Sequence, residues 1–561
     1  MSVERSSSDE GAQGRITRNR RTQKDLWDGS WPLHPFFFAA AAVFTLMGNN
    51  LNYSGMRDVL PSLLVALAIA LTLYLLAVLF RRRFDSIAAV LATIWVVGVL
   101  YYSNLFGDLN RWIDGGFSMV RTLPIAVLIL AAITVLAYRL RRFAPKANGA
   151  LNIIAVVFLV VPLGKVAEFQ WNNWGALDSY DAKAALAELE PYLSQAASPD
   201  QPPDIYHFIF DRYASEEVLS QYFDLDNSEI GYFLEQQGFY LARGSNSNYQ
   251  KTGHSVSSTF NMDYLHTLEN DPRVKGRNWR PIFKILGDHR AGRFLKSRGY
   301  RYVQFGSWWA GTFRSSLADE NRPHGFSEFA MLYWRNTMLK PIFHVLPDTQ
   351  LTMRLDWDNG QCQRIRPQLE EIKKIGEETA EPLYVFSHIL IPHGPENFTT
   401  TGECLSLQQA SKRGQAKGYL DQIQYANQII RDVVTELKKP GRRPAVIIIQ
   451  ADEGPSPKRD GKIPWQNASA DELRIKTGIL NAYYFPGKDY SGLWQDITPV
   501  NTYRVLFNTY FGTRLPRLED RIYAFPFDNN LYEFHDVTAK VRGPGPIAGT
   551  VHQGSAPAAP N

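Results

Sequence analysis

At 561 residues with a formal net charge of +5, the chain is too long for one ordinary core, so more than one unit is expected. The modest net charge hides a local asymmetry: before residue 150 the basic residues cluster between long apolar runs, and after it the signs are mixed. No basic stripe of the kind that grips nucleic acid is present, which excludes that partner class.

Residues 1–31 are polar and carry Arg15, Arg18, Arg20, Arg21 and Lys24, so they read as a disordered, basic cytoplasmic tail. No small-residue cleavage site follows, and further apolar runs do, which argues against a signal peptide. Five apolar stretches follow at 32–49, 58–80, 87–107, 120–140 and 149–167. Most reach or approach the ~20 residues that span ~30 Å of hydrocarbon. Residues 32–168 are therefore expected to form a five-span helical membrane domain. Arg81, Arg82 and Arg83 sit between runs two and three, and Arg139, Arg141, Arg142 and Lys146 between four and five; the other two loops are poor in basic residues. The positive-inside rule puts the N-terminus in the cytoplasm and, with an odd number of spans, everything after residue 168 outside.

Residues 169–203 read as a juxtamembrane linker, with Trp171 and Trp174 suited to the interface and an amphipathic helix from Ala182 to Leu193. From 204 to 540 strand-like apolar runs at 205–210, 301–305, 383–391, 445–450 and 479–485 alternate with helix-like segments at 288–298, 365–377 and 419–438. That alternation predicts an α/β domain with a mostly parallel central sheet covered on both faces. The Ala/Pro/Gly-rich end, 541–561, reads as a disordered tail. Cys362 and Cys404 are the only cysteines, both in the part expected outside, where one disulfide is the available pairing.

Three of the strands run into candidate ligands. The first ends on Asp211; the strand Ala445–Gln450 leads into Asp452 and Glu453; the strand from Tyr384 leads through Pro392 to His393. Strand ends in a parallel sheet share one edge, so these residues are expected to converge. Thr252 stands at the mouth of a predicted helix, whose positive end favours anions. Asp211, Thr252, Asp452 and Glu453 then offer four oxygen ligands for one divalent ion, Mn or Mg first and Ca or Zn second, with His393 nearby. A bound dication would lower the pKa of the Thr252 hydroxyl and make it a nucleophile for phosphoryl transfer. Arg212, His254, Lys251 and Ser255 are further candidates for contacting an anionic substrate, Ser255, one helical turn from Thr252, being also an alternative nucleophile, and Trp308 and Trp309 for stacking on a headgroup or packing in the core.

The segments PDIYHFIFDRYAS, TGHSVSS, HILIPHGP and the strand running into ADEG together resemble the alkaline phosphatase superfamily. The nearest branch is the membrane-anchored sulfatase-like group that includes lipoteichoic acid synthases and phosphoethanolamine transferases; KTGILNAYYFPG and PVNTYRVLFNTYFG are similar to it as well. The resemblance implies that Asp211 and Asp452 are metal ligands, that Thr252 is the residue covalently phosphorylated, and that His393 lies against the substrate phosphate. The family usually has histidine after the second aspartate; here it is Glu453, which puts metal identity and competence in question. Formylglycine sulfatases carry Cys or Ser followed by x-Pro-x-Arg, and KTGHSVS around Thr252 departs from that pattern.

The resulting expectation is a metal-dependent transferase in a bacterial cytoplasmic membrane, its catalytic domain periplasmic or extracellular. It would move phosphoglycerol or phosphoethanolamine from a membrane phospholipid, through phosphothreonine, to an envelope glycan or lipid-linked acceptor. The alternatives are a phosphodiesterase, phosphatase or sulfatase-like hydrolase, and a catalytically silent envelope binding protein.

Overall fold

The computed structural model describes residues 31–115, 119–346, 360–377, 379–405 and 407–543. The expected disordered tails lie outside these residues except at 31 and 541–543. There the C-terminal boundary shifts: the helix Thr538–Arg542 runs into the expected tail because Val541 is buried against Leu473 and Ile522.

Each apolar stretch is helical: α1 (His34–Asn49), α2 (Met56–Arg81), α3 (Ser86–Leu100) with α4 (Tyr102–Asp114), α5 (Leu123–Arg139) and α6 (Ala144–Asn172). Two stretches are long and apolar enough to cross a membrane, Met56–Arg81 and Arg141–Leu193; the pair Ser86–Leu100 and Tyr102–Ile113, bent by 51°, would make a third. The expected third run does not continue as one rod. Beyond Tyr101 the sequence becomes amphipathic, with Asp108 and Arg111 on α4, and a charged face cannot stay in hydrocarbon. Leu79, Leu128 and Ile153 are more than two-thirds exposed, as a lipid-facing surface requires. Between the helices, the His34 ring bonds Thr93 of α3 and Asn148 of α6, a polar tie across three helices. The expected amphipathic helix at 182–193 is broken into Ala182–Ala187 and Glu190–Leu193, with Pro191 in the first turn of the second piece.

The seven-stranded sheet comprises β1 (Asp204–Phe210), β2 (Tyr240–Leu241), β3 (Arg301–Phe305), β4 (Glu320–Asn321), β5 (Leu383–Ile389), β6 (Ala445–Gln450) and β7 (Asn481–Tyr484) in the order β2-β7-β6-β1-β5-β3-β4. β1 is central and parallel to both β5 and β6; only the pairings of β7 with β6 and β2 are antiparallel. Both faces are buried, which is why these strands read as unbroken apolar runs. Ile205, Ile209, Phe386 and Ile448 point into one core with Val256 and Phe260 of α7 (Thr252–Asn261) and Ile282 of α8 (Arg280–Gly287). Tyr206, Phe208, Val385 and Ile447 point into the other, covered by Ile365 of α9 (Gly360–Lys374) and Ile430 of α10 (Gln415–Leu437). Cys362 on α9 and Cys404 are joined by a disulfide.

Asp204 opens β1 and is only 3% exposed; its carboxylate accepts the Leu383 N–H at 2.8 Å and lies 3.4 Å from Arg443. Burial raises its pKa from 3.8 to about 6, against the opposing pull of the Leu383 N–H and Arg443. The folded chain therefore holds this proton more tightly than the unfolded chain. The resulting cost is absent below about pH 4, grows from about pH 4 to 6, and reaches about 3 kcal/mol above that window. Asp204→Asn is expected to gain stability over the wild type as pH rises through this range. Thermal melts of the two proteins across the window check it, and a pH-independent difference would contradict it.

Candidate metal centre

The sheet register builds the site. Ile209 of β1 lies level with His388 of β5 and with Gln450 of β6. Two residues further on, Asp211 and Asp452 leave neighbouring strands at the same height. Their side chains and that of His388 fall on the face covered by α7, and one ligand atom from each of Asp211, His388 and Asp452 lies within 4.8 Å of the others. All three are at least 97% buried. His388 Nε2 is 3.1 Å from Asp211 Oδ2, and its Nδ1 is 2.7 Å from Thr312 Oγ1, which in turn is 2.9 Å from Ser307 Oγ. This chain of partners fixes the orientation of the imidazole.

Thr252 is the first residue of α7, after Lys251 in extended conformation, and its hydroxyl favours the ionised form of Asp452. Gly253 follows because nothing larger fits: a Cβ there would lie 2.8 Å from Trp279 and 2.9 Å from Ile282. Arg212 has φ +63°, in the left-handed region that a residue with a Cβ adopts at a cost of about 1–2 kcal/mol. In that conformation its N–H donates to Asp452 Oδ1 at 3.0 Å and its Nε to Glu453 Oε1 at 3.3 Å.

The electrostatics follow from burial. Burial pushes Asp452 well above the ordinary carboxylate range, reinforced by the charges of Asp211 and Glu453. Burial acts the same way on Asp211, but His393, His388 and Arg212 outweigh it and hold that carboxyl low. Asp211 Oδ1, Asp452 Oδ2 and Glu453 Oε2 are buried acceptors without a hydrogen-bond donor among the described residues. Two carboxylates, an imidazole and unused buried oxygens form a donor set that fits a divalent cation.

Among the residues singled out in the sequence, Asp211, Thr252 and Asp452 come together. Glu453 lies beside them, but its Oε1 is 2.7 Å from Lys476 Nζ, both side chains being 2% exposed. His393 is anchored by its N–H to the Asp211 carbonyl at 3.1 Å, and burial lowers its pKa, opposed by Asp211. Ser255 is buried one turn into α7, its carbonyl accepting the Ser258 and Thr259 hydroxyls. Lys251 reaches Asp528 at 3.4 Å. Trp308 meets the ring of His393 at 6.4 Å and Trp309 that of His388 at 6.3 Å, both edge-on, so the tandem tryptophans wall the site. His254 departs from the expected substrate contact. It is fully buried among Trp279, Phe525 and Phe534 with Nε2 on the Leu531 carbonyl at 2.9 Å, and this enclosure makes it a packing residue. Two participants were not anticipated. His388 hides inside an apolar strand, where its signal is a lone imidazole two residues before the strand's C-terminal exit; Lys476 has no local signal.

The sulfatase family model matches residues 216–501, just over half of the chain, and takes in Thr252, His388, Asp452 and Glu453. The chain belongs to the sulfatase family. This is the sulfatase-like branch of the alkaline phosphatase superfamily, as its motifs implied. Similar solved structures include the C-terminal periplasmic domain of EptC from Escherichia coli in complex with Zn, at 10% identity and TM-score 0.40 over 61% of this chain and 94% of that one. Another is the integral membrane lipooligosaccharide phosphoethanolamine transferase A (EptA) from Neisseria meningitidis, at 13% identity and TM-score 0.34 over 87% and 96%. A third is the periplasmic domain of the phosphoethanolamine transferase EptC from Campylobacter jejuni, at 12% identity and TM-score 0.34 over 56% and 90%. No curated protein matches the chain by sequence.

The geometry predicts an order of metal affinities. Asp211→Asn, His388→Ala and Asp452→Asn are each expected to weaken Zn²⁺ or Mn²⁺ binding by more than about 100-fold, and Thr312→Val, which only frees the imidazole, by about 10- to 100-fold. Glu453→Gln is expected to stay within about tenfold of wild type, since its carboxylate serves Lys476 and Arg212. Calorimetric titration of each variant measures the order. A Glu453→Gln loss as large as that of Asp452→Asn would make Glu453 a ligand.

Proposed function

We propose that this sulfatase-family chain is a metal-dependent phosphotransferase, tethered by its apolar helices with its N-terminus in the cytoplasm and its domain from residue 204 outside. The observation that carries the reading is the Thr252 hydroxyl at the start of α7, beside Asp452 and the buried Asp211–His388–Asp452 cluster. Asp211, His388 and Asp452, with Thr252, would hold one divalent ion. An imidazole in the set moves the preference from Mg towards Zn or Mn. When bound, the ion supplies positive charge that lowers the pKa of the Thr252 hydroxyl and offsets charge on the phosphoryl group.

The chain's own residues account for the rest. Thr252 Oγ attacks phosphorus of the phospholipid headgroup, forming one P–O bond as the bond to diacylglycerol oxygen breaks. His393, beside Asp211 and Trp308, takes the Thr252 hydroxyl proton, as a neutral imidazole can, and passes it to the departing oxygen. The guanidinium of Arg212, a quarter exposed at the mouth, faces the phosphoryl oxygens. An acceptor hydroxyl then attacks the phosphothreonine, its proton passing through His393 to Thr252 Oγ as that oxygen leaves. Delivery to a glycan or lipid-linked acceptor, rather than to water, separates this reading from a hydrolase.

A cavity of about 100 Å³ lies between the turn after α1 and the catalytic domain, lined by Tyr53, Ser54, Asp58, Ala310, Ser327 and Glu328. Ala310 follows the tryptophan beside His388. Asp58 and Glu328 in that lining would meet an ammonium headgroup as hydrogen-bond acceptors, which is why phosphoethanolamine is proposed as donor ahead of phosphoglycerol.

Full-length protein incubated with Zn²⁺ or Mn²⁺ and vesicles of phosphatidylethanolamine or phosphatidylglycerol tests the reading by intact mass and peptide mapping. A phosphoethanolamine adduct on Thr252 is expected, larger than any phosphoglycerol adduct, absent from Thr252→Ala and accompanied by diacylglycerol release. Neither adduct nor diacylglycerol from either lipid would overturn it.

A further inference from the structure

The first turn of α7 does not rest on the catalytic domain alone. Trp279 is 94% buried at the start of α8 and touches three parts of the molecule. Its backbone N–H donates to the Asn52 carbonyl at 3.0 Å, in the turn after α1. Its ring stacks on Tyr53 of the same turn, with centroids 6.0 Å apart and planes 22° apart. The same ring meets His254 edge-on at 5.3 Å and lies so near Gly253 that a Cβ would be 2.8 Å from it. Gly253 and His254 are the two residues after Thr252.

The neighbours of Trp279 reinforce this seat. Arg277 lies over the Tyr53 ring at 6.0 Å, Asn278 donates to Asn173 at 3.0 Å, and Arg280 donates to Gln170 at 3.1 Å. Residues 277–280 therefore grip both the turn at 52–53 and the outer end of α6, while their one large ring supports the helix that presents Thr252. A reacting atom displaced by about 1 Å loses on the order of 100-fold in rate, so support at this point bears on chemistry and not only on stability.

We propose that Trp279 is a positioning residue that seats the first turn of α7 on the membrane-domain turn at 52–53, so that the reactivity of Thr252 depends on that turn even for a substrate that is not a lipid. The proposal rests on Thr252 as nucleophile, but the seating is measured without turnover. Hydrogen–deuterium exchange of the full-length protein follows the amides of Thr252–Asn261 and, as an internal control, those of α10. Tyr53→Ala and Trp279→Leu are expected to speed exchange in α7 by about tenfold or more while α10 stays at the wild-type rate, and Trp279→Phe, which keeps a ring at both contacts, is expected to restore most of the protection. Turnover of bis(p-nitrophenyl) phosphate, a soluble diester, should show kcat falling by about tenfold or more in Tyr53→Ala and Trp279→Leu with KM and Zn²⁺ affinity within about twofold of wild type.

Unchanged exchange in α7 in both variants would overturn the seating, as would loss of protection spread equally over α7 and α10, which is general destabilisation. Faster α7 exchange with unchanged kcat would overturn the link to Thr252. If the wild type neither turns over the diester nor forms an adduct on Thr252, the phosphotransferase reading falls, and exchange alone decides the seating.

Discussion

Asp211 and Asp452 leave adjacent parallel strands at the same height, and both are buried. Two like charges in such a place cannot both ionise without compensation, and much of the surrounding structure supplies it. His388 reaches Asp211 from the other flanking strand, and Arg212 takes a left-handed backbone conformation that turns its N–H to Asp452. Lys476 and Arg212 together balance Glu453, the third carboxylate. One oxygen on each of the three acids has no hydrogen-bond donor among the described residues, which leaves each open to a cation. The sheet order thus does more than bury apolar surface: it forces the charge that the chemistry needs into one place.

The same constraint bears on Glu453, which stands where the motif resemblance implies a histidine. The imidazole comes from β5, held by Thr312 and Ser307, and the carboxylate after Asp452 is absorbed into an ion pair with a buried lysine. A buried Lys476 without Glu453 would be an isolated charge, and burial already depresses its pKa to about 8 even with Glu453 opposing the shift.

Much of the fold was legible because parallel strands buried on both faces must be written as continuous apolar runs. β1, β3, β5 and β6 lie within a residue or two of where the sequence put them, and Asp211 and Asp452 were visible as acids on strand ends. His388 was not, because inside such a run a histidine looks like a core residue until the register sets it beside Asp211. His254 failed in the opposite direction: its position after Thr252 suggested the site, but its environment is set by Trp279, Phe525 and Phe534, none of them near it in sequence. The third apolar run breaks at Tyr101, inside a stretch whose hydropathy gave no sign of it, and the helix beyond carries on to Asp114 through Asp108 and Arg111, which the sequence placed in a loop. The division between membrane and catalytic parts is also less clean in space than along the chain. Phe329, Ala330, Tyr333 and Trp334 share a core with Phe38, Ala39 and Val43 of α1, a contact no local pattern announces.

The central claim, a metal centre whose imidazole comes from β5 rather than from the position after Asp452, is tested most directly by anomalous scattering from the full-length protein crystallised with Zn²⁺. The account predicts one anomalous peak within about 2.0–2.3 Å of Asp211, His388 and Asp452, with Glu453 still on Lys476. A peak coordinated by Glu453 with His388 turned away, or no peak between the two aspartates, would contradict it.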